Sequence, residues 1–84
     1  MDVAKAVLRT KQDCSLCRAA EAVLQRIARD VPLTVEVRMV PQESPDALRV
    51  PIVEIDGVEA ASGKVSEFRL RNWLQERGYP DATR

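Results

Sequence analysis

A helix-spaced run of apolar residues stands between two strand-like runs in the first half of this chain. Apolar positions that recur at three- and four-residue steps place one stripe on a helix from about Cys14 to Arg29. These positions are Leu16, Ala20, Val23, Leu24 and Ile27. The aliphatic run 3–10 and the alternating run 33–40 predict the flanking strands. A strand, a helix and a strand in this order form parallel neighbours joined by a right-handed crossover.

Local signals set the limits of these elements. Asp13 stands where the N-cap of the helix is expected, and Pro32 ends the helix because the residue before proline avoids the α region. In the second strand the alternation predicts one apolar face and one polar face. The apolar face consists of Leu33, Val35, Val37 and Met39, and the polar face of Thr34, Glu36 and Arg38.

The second half of the chain predicts a hairpin and a final helix. Ser44 to Leu48 is expected to form one helical turn, with Ser44 as its cap. Asp56-Gly57 supplies the positive φ angles of a two-residue hairpin turn between strands at 51–55 and 58–60. The last helix runs from about Val65 to Arg77. The order β-α-β-β-β-α predicts a single α/β domain over residues 1–84, with a four-stranded mixed sheet, packed helices and a frayed tail at 81–84.

Two aspects of the last helix concern side chains. Trp73 shares a stripe with Leu70 and Leu74 and is predicted to pack in the core. Acidic residues interleave Arg69, Arg71 and Arg77, so these arginines are expected to lie on a solvated face.

The charge balance excludes some classes of partner. Thirteen basic residues offset thirteen acidic ones, and aromatic residues make up only 4% of the chain. Neither a basic patch nor a set of base-stacking rings is present for nucleic acid, so no nucleic-acid partner is expected. No apolar run has the length of a membrane span or of a signal-peptide core. We therefore expect a cytoplasmic, monomeric protein with no membrane partner.

The two cysteines of the chain, Cys14 and Cys17, are three residues apart at the start of the predicted helix. Residues at this spacing share a helix face, so their sulfur atoms can meet. The unpaired N–H groups at a helix start favour the thiolate, which is the reactive form of cysteine. This pattern predicts that Cys14 attacks a substrate disulfide and that Cys17, one turn further in and less exposed, resolves the mixed disulfide. Lys11 and Arg18 are candidate cationic neighbours that would stabilise the Cys14 thiolate. The negative charge of Asp13 would oppose this stabilisation.

The same pair has other interpretations. Two thiolates can hold copper(I), so a thiolate metal carrier is one alternative. A tetrahedral zinc site needs four ligands, and with no histidine and no third cysteine it would need two copies of the chain. The pair can also be inert, or it can belong to a non-enzymatic module of the same fold that senses oxidation or binds a partner.

Three features together resemble the glutaredoxin-like branch of the thioredoxin superfamily, and its short bacterial members in particular. The first is the run TKQDCSLC from Thr10 to Cys17, directly after a strand. The second is Val50-Pro51 ahead of the third strand, and the third is Ser62-Gly63 between the hairpin and the last helix. The resemblance covers Val3 to about Gln75. It implies a thioredoxin-like fold and thiol–disulfide oxidoreductase activity on protein disulfides or glutathione mixed disulfides.

The resemblance also assigns residues to substrate binding. It implies that the Val50–Pro51 bond is cis, that it lies beside the cysteines, and that the backbone of Val50 pairs with bound peptide or glutathione. It implies that Lys11 contacts a glutathione carboxylate (the alternative is a solvated loop lysine) and that Gly63 belongs to the same set. It implies no bound cofactor. Glutathione is a candidate co-substrate, and the expected partners are a disulfide-bearing protein or glutathione, and a reductase.

Two departures concern the electron source. Ser15 and Leu16 stand where glutaredoxins usually carry proline and an aromatic residue. The stretch 62–66 lacks the second glycine and the acidic residues that hold the γ-glutamyl end of glutathione in that family. The resemblance therefore predicts the fold and dithiol chemistry, and it leaves open whether glutathione or thioredoxin reductase supplies the electrons.

Overall fold

A computed structural model describes residues 3–80 of the chain. Its elements, in order, are β1 (Ala4–Thr10), α1 (Ser15–Ala28), β2 (Leu33–Met39), a 3-10 turn (Pro45–Leu48), β3 (Ile52–Ile55), β4 (Val58–Ser62) and α2 (Glu67–Glu76). The predicted β-α-β-β-β-α order is confirmed. The predicted frayed tail, 81–84, lies outside the described residues. No helix within residues 3–80 has the length and apolar character needed to span a lipid bilayer.

The strands form one mixed sheet in the order β2-β1-β3-β4. β1 runs parallel to β2, with Thr10 opposite Met39. β3 runs antiparallel to β1 and to β4, with Ile52 opposite both Arg9 and Ser62. The α1 crossover between β1 and β2 and the tight β3–β4 hairpin account for this pairing, because parallel neighbours need a long connection and antiparallel neighbours do not. The predicted thioredoxin-like α/β fold is confirmed.

The core lies between one face of the sheet and the two helices. Alternate residues of β1 (Ala4, Ala6 and Leu8) face the stripe of α1 that carries Leu24 and Ile27. Leu70 and Leu74 of α2 complete the same cluster. Leu8, Leu24 and Ile27 have no exposed surface, as expected when a strand of period two packs on a helix of period 3.6.

The hairpin turn is fixed by its own side chain. Asp56 and Gly57 have φ angles of 50° and 84°, as the two-residue turn requires. The backbone N–H of Lys5 donates to the Asp56 carboxylate at 2.9 Å, and the Tyr79 hydroxyl donates to it at 2.8 Å. These two hydrogen bonds lower the pKa of Asp56. They tie the turn to β1 and to the residues after α2.

The start of the last helix and the surroundings of its Arg71 side chain differ from the predictions. It begins at Glu67 with Ser66 as its N-cap, and Phe68 is 73% exposed. Arg71 forms ion pairs with Asp30 at 2.9 Å and Glu67 at 3.0 Å, so the prediction that it lies on a solvated face is wrong. The reason is that the end of α1 brings Asp30 within reach of α2.

Trp73 is partly buried and packs against the core, as predicted. Its ring stacks on that of Tyr79 with centroids 6.3 Å apart, and the guanidinium of Arg77 lies 4.2 Å from the Trp73 ring centroid. Arg77 is exposed, as predicted, and it also makes a cation–π contact with Trp73.

Candidate redox site

The candidate site lies at one end of the sheet, which we call the Thr10 end and define by Thr10, Met39, Ile52 and Ser62. The pairing of β1 with β2 and β3, and of β3 with β4, brings these four residues to the same end. The loop from Lys11 to Cys14 leaves β1 there, and the segment 50–51 enters β3 there. Residues far apart in sequence are thus assembled at one place by strand pairing.

Cys14 is the N-cap of α1. Its backbone is extended (φ −116°, ψ 105°), and its Sγ accepts the backbone N–H of Cys17 at 3.1 Å. The Cys14 carbonyl accepts the N–H of Arg18, which is the first turn of the helix. The sulfur therefore takes the place that a serine or aspartate oxygen usually takes at a helix start.

The prediction of Asp13 as the N-cap is wrong. Asp13 has a φ of 56°, in the left-handed region, which aspartate adopts more readily than most residues. This turn lets the chain leave β1 and enter the helix one residue later than predicted. As a result, Cys14 and not Asp13 meets the free N–H groups of the helix.

The two sulfur atoms are joined in a disulfide, with the Cα atoms 5.2 Å apart. Cys14 is half-buried, whereas Cys17 is 3% exposed. The prediction that Cys17 is the less exposed of the two is confirmed. A disulfide is the oxidised form of a dithiol couple, and the arrangement of a half-buried and a buried cysteine is compatible with redox function.

An open groove of about 200 Å³ lies beside the disulfide. It is lined by Thr10, Lys11, Gln12, Asp13, Cys14, Cys17, Arg18, Glu21 and Met39. Two cationic and two anionic side chains border it, so it carries no formal net charge. The loop 11–13 also borders a second groove of about 370 Å³, which Ala47 and Leu48 help to line.

The remaining predicted site residues lie at the same end of the sheet. The Val50–Pro51 peptide bond is cis. Pro51 is buried, Val50 before it is half-buried, and the Pro51 carbonyl accepts the N–H of Gly63 at 2.8 Å. Lys11 shares the groove with both cysteines, whereas the described residues that line this groove do not include Val50, Pro51 or Gly63. The structure thus brings the predicted residues together as two groups.

Met39 is a groove residue that the sequence analysis missed. It was predicted to share the apolar face of β2 with Leu33, Val35 and Val37; it is 57% exposed there, and its Sδ accepts the Thr10 hydroxyl at 3.2 Å. The alternation of residues in β2 correctly predicts the face of the sheet on which Met39 lies. The alternation does not show that this end of β2 borders a groove, because the groove depends on the pairing of β2 with β1.

Within residues 3–80, no three His, Cys, Asp or Glu side chains are grouped so that they could hold a metal ion. The donor set of the site is therefore the cysteine pair itself.

No protein-family model matches the chain, and no curated protein matches it in sequence. The class that the structure defines is a small thioredoxin-like α/β fold with a C-x-x-C disulfide at the start of its first helix.

Proposed function

We propose that this protein is a thiol–disulfide oxidoreductase of the glutaredoxin-like type, which reduces protein disulfides or glutathione mixed disulfides through Cys14 and Cys17. The observation that carries the proposal is the position of the disulfide at the N-terminus of α1, with Cys14 half-buried and Cys17 buried. A disulfide stabilises a fold most where it closes a long loop, whereas this disulfide joins residues that are only three apart in sequence.

The first step is attack on the substrate by reduced Cys14. Its thiolate forms a bond to one sulfur of the substrate disulfide, and the other substrate sulfur leaves as a thiolate. The N–H of Cys17, which meets Cys14 Sγ at 3.1 Å, and the start of α1 favour negative charge on the attacking sulfur.

The second step is resolution by Cys17. Its thiolate attacks Cys14 Sγ, the remaining substrate sulfur leaves as a thiolate, and the Cys14–Cys17 disulfide forms. Two electrons have then passed from the cysteine pair to the substrate. An external thiol or a reductase of the thioredoxin reductase type must return them, and each released thiolate takes a proton from solvent.

Lys11 and Arg18 border the groove through which a substrate would reach Cys14. They suit a carboxylate of glutathione or of an acidic peptide, while Asp13 and Glu21 suit a basic group. The balance supports an assignment to disulfide substrates in general. We propose Val50, Pro51 and Gly63 as further substrate-binding residues because they lie at the same end of the sheet.

The test is reduction of hydroxyethyl disulfide by the purified chain, followed as NADPH consumption. One arm contains glutathione with glutathione reductase, and the other contains thioredoxin reductase alone. We expect turnover in at least one arm, and loss of it in the Cys14→Ser variant. Absence of turnover in both arms would contradict the proposal.

The roles of the two cysteines are tested separately. The Cys17→Ser variant should accumulate a mixed disulfide on Cys14, seen by mass spectrometry as the added mass of the substrate thiol. The Cys14→Ser variant is the matched control and should accumulate none. A mixed disulfide on Cys17 in that control would reverse the two roles.

A further inference from the structure

The outer edge of β2 is a regular strand edge with no partner among residues 3–80. β2 is the terminal strand of the sheet and pairs over all seven of its residues with β1, without a register shift. The other terminal strand, β4, has an irregular register between Val53 and Glu54 of its neighbour. Irregular edges resist pairing, whereas a long regular edge presents a row of free donors and acceptors.

The hydrogen bonds at both ends of β2 show which residues carry these free groups. Pro32 accepts from Ala4 N–H, and Val40 N–H donates to the Thr10 carbonyl. Even-numbered residues therefore pair with β1, and the alternation of a parallel ladder turns the backbone groups of Val35, Val37 and Met39 outward.

The side chains on this edge are apolar on one face and charged on the other. Val37 is 44% exposed and Met39 is 57% exposed, on the face that carries the helices. Glu36 and Arg38 form an ion pair with each other on the opposite face, and Glu36 also pairs with Lys5 at 3.1 Å. An occupant of the edge must match both faces.

We propose that the occupant is a second copy of this chain, paired antiparallel along β2 about a two-fold axis at Val37. This register places Val37 opposite the partner's Val37, and Val35 opposite the partner's Met39. The opposed residues are those with outward backbone groups, so they can exchange about six hydrogen bonds across the axis. The two sheets become one continuous sheet.

The charges favour this register over its two nearest neighbours. With the axis at Val37, Glu36 lies opposite the partner's Arg38, and the reciprocal pair forms on the other side of the axis. Moving the axis to Glu36 would oppose two glutamates, and moving it to Arg38 would oppose two arginines. Like charges directly opposed across strands are destabilising and unlike charges are favourable. The pattern is thus self-complementary, as a two-fold interface requires.

The interface is small, so the dimer depends on protein concentration. The inference is independent of the proposed redox function, although the sequence analysis expects a monomer. Because Met39 also borders the groove at Cys14 and Cys17, the interface would adjoin the candidate site.

The first test is sedimentation equilibrium of the full chain over a range of concentrations, with a thiol reductant present to exclude intermolecular disulfides. We expect a reversible monomer–dimer equilibrium that Val37→Lys weakens by about tenfold or more. Val58→Lys is the matched control, because Val58 on β4 is 45% exposed and Val37 is 44% exposed. A wild-type chain that stays monomeric, or equal effects of the two substitutions, would overturn the proposal.

The second test concerns the register. Glu36→Arg alone or Arg38→Glu alone opposes like charges across the axis, and each should weaken the dimer by roughly three- to tenfold. The double swap, Glu36→Arg with Arg38→Glu, should restore it. Circular dichroism confirms that each variant is folded before its mass is measured. If the double swap is as weak as the single substitutions, the register centred on Val37 is wrong.

Discussion

The backbone N–H of Cys17 donates a hydrogen bond to the Sγ of Cys14 at 3.1 Å, so one cysteine caps the helix that buries the other. The bond places Cys14 at the accessible tip of α1, while Cys17 lies one turn inside with 3% of its surface exposed. The two sulfurs are thereby chemically unequal even though they belong to one short motif.

This inequality predicts the order of alkylation in the reduced chain. Cys14 should react with iodoacetamide at neutral pH about tenfold or more faster than Cys17, because it is both more accessible and closer to the helix N-terminus. Peptide mapping by mass spectrometry after short exposures measures the two rates. Equal rates would mean that the helix start does not distinguish the two thiols.

The backbone conformation at Gly63 is expected to require glycine. Its φ is 70°, and a Cβ atom at this position would have nothing within 4 Å, so Gly63→Ala costs backbone strain without a clash. We expect Gly63→Ala to lower the free energy of unfolding by about 1–2 kcal/mol, measured by urea denaturation. Gly63→Asn should cost less, because asparagine adopts the left-handed region more readily.

The same pair of Gly63 variants separates stability from binding. If Gly63 only shapes the turn, kcat/KM for disulfide reduction should be unchanged in both variants under conditions where they are folded. A drop in kcat/KM in the folded variants would place Gly63 in the substrate-binding surface.

Leu24 should be one of the most sensitive core positions. It has no exposed surface and lies in the cluster between α1, β1 and α2. Leu24→Ala removes buried methyl groups and leaves a cavity, and we expect a loss of about 2–5 kcal/mol in urea denaturation. Leu48→Ala is the matched control: Leu48 is 91% exposed, and the same change there should cost less than about 0.5 kcal/mol.

The Glu67 carboxylate should make stability depend on acid. Arg26 and Arg71 donate hydrogen bonds to it at 2.8 and 3.0 Å and hold its pKa below the ordinary value of 4.5. Because the folded chain binds this proton less readily than the unfolded chain, the contribution is present above pH 4.5 and is lost as the pH falls below it.

We therefore expect Glu67→Gln to lower the free energy of unfolding by about 0.5–1 kcal/mol at neutral pH, and to have little effect near pH 3. Urea titrations at the two pH values measure the difference. Glu76→Gln, on the exposed end of the same helix, is the control and should change the free energy of unfolding by less than about 0.5 kcal/mol at neutral pH. An equal cost at both pH values would contradict the assignment.

Much of the fold could be predicted from residues close together in sequence. The three- and four-residue spacing predicted α1, and Asp56-Gly57 predicted the hairpin, because helix faces and two-residue turns depend on local geometry. The C-x-x-C motif likewise predicted where the candidate site would lie. These features depend on neighbours within about one helical turn, which the sequence lists directly.

The tertiary structure decided which parts of these patterns are covered. Leu33 and Met39 belong to one alternating set, yet Leu33 packs against the core and Met39 is 57% exposed beside the candidate site. Cys14 caps α1 because the chain turns at Asp13 on leaving β1. Burial and site geometry arise from contacts between segments that are distant in sequence. The local spacing of residues does not determine which of these segments covers a given side chain. The sequence by itself therefore determined the elements and the motif, and their packing determined which groups remain accessible.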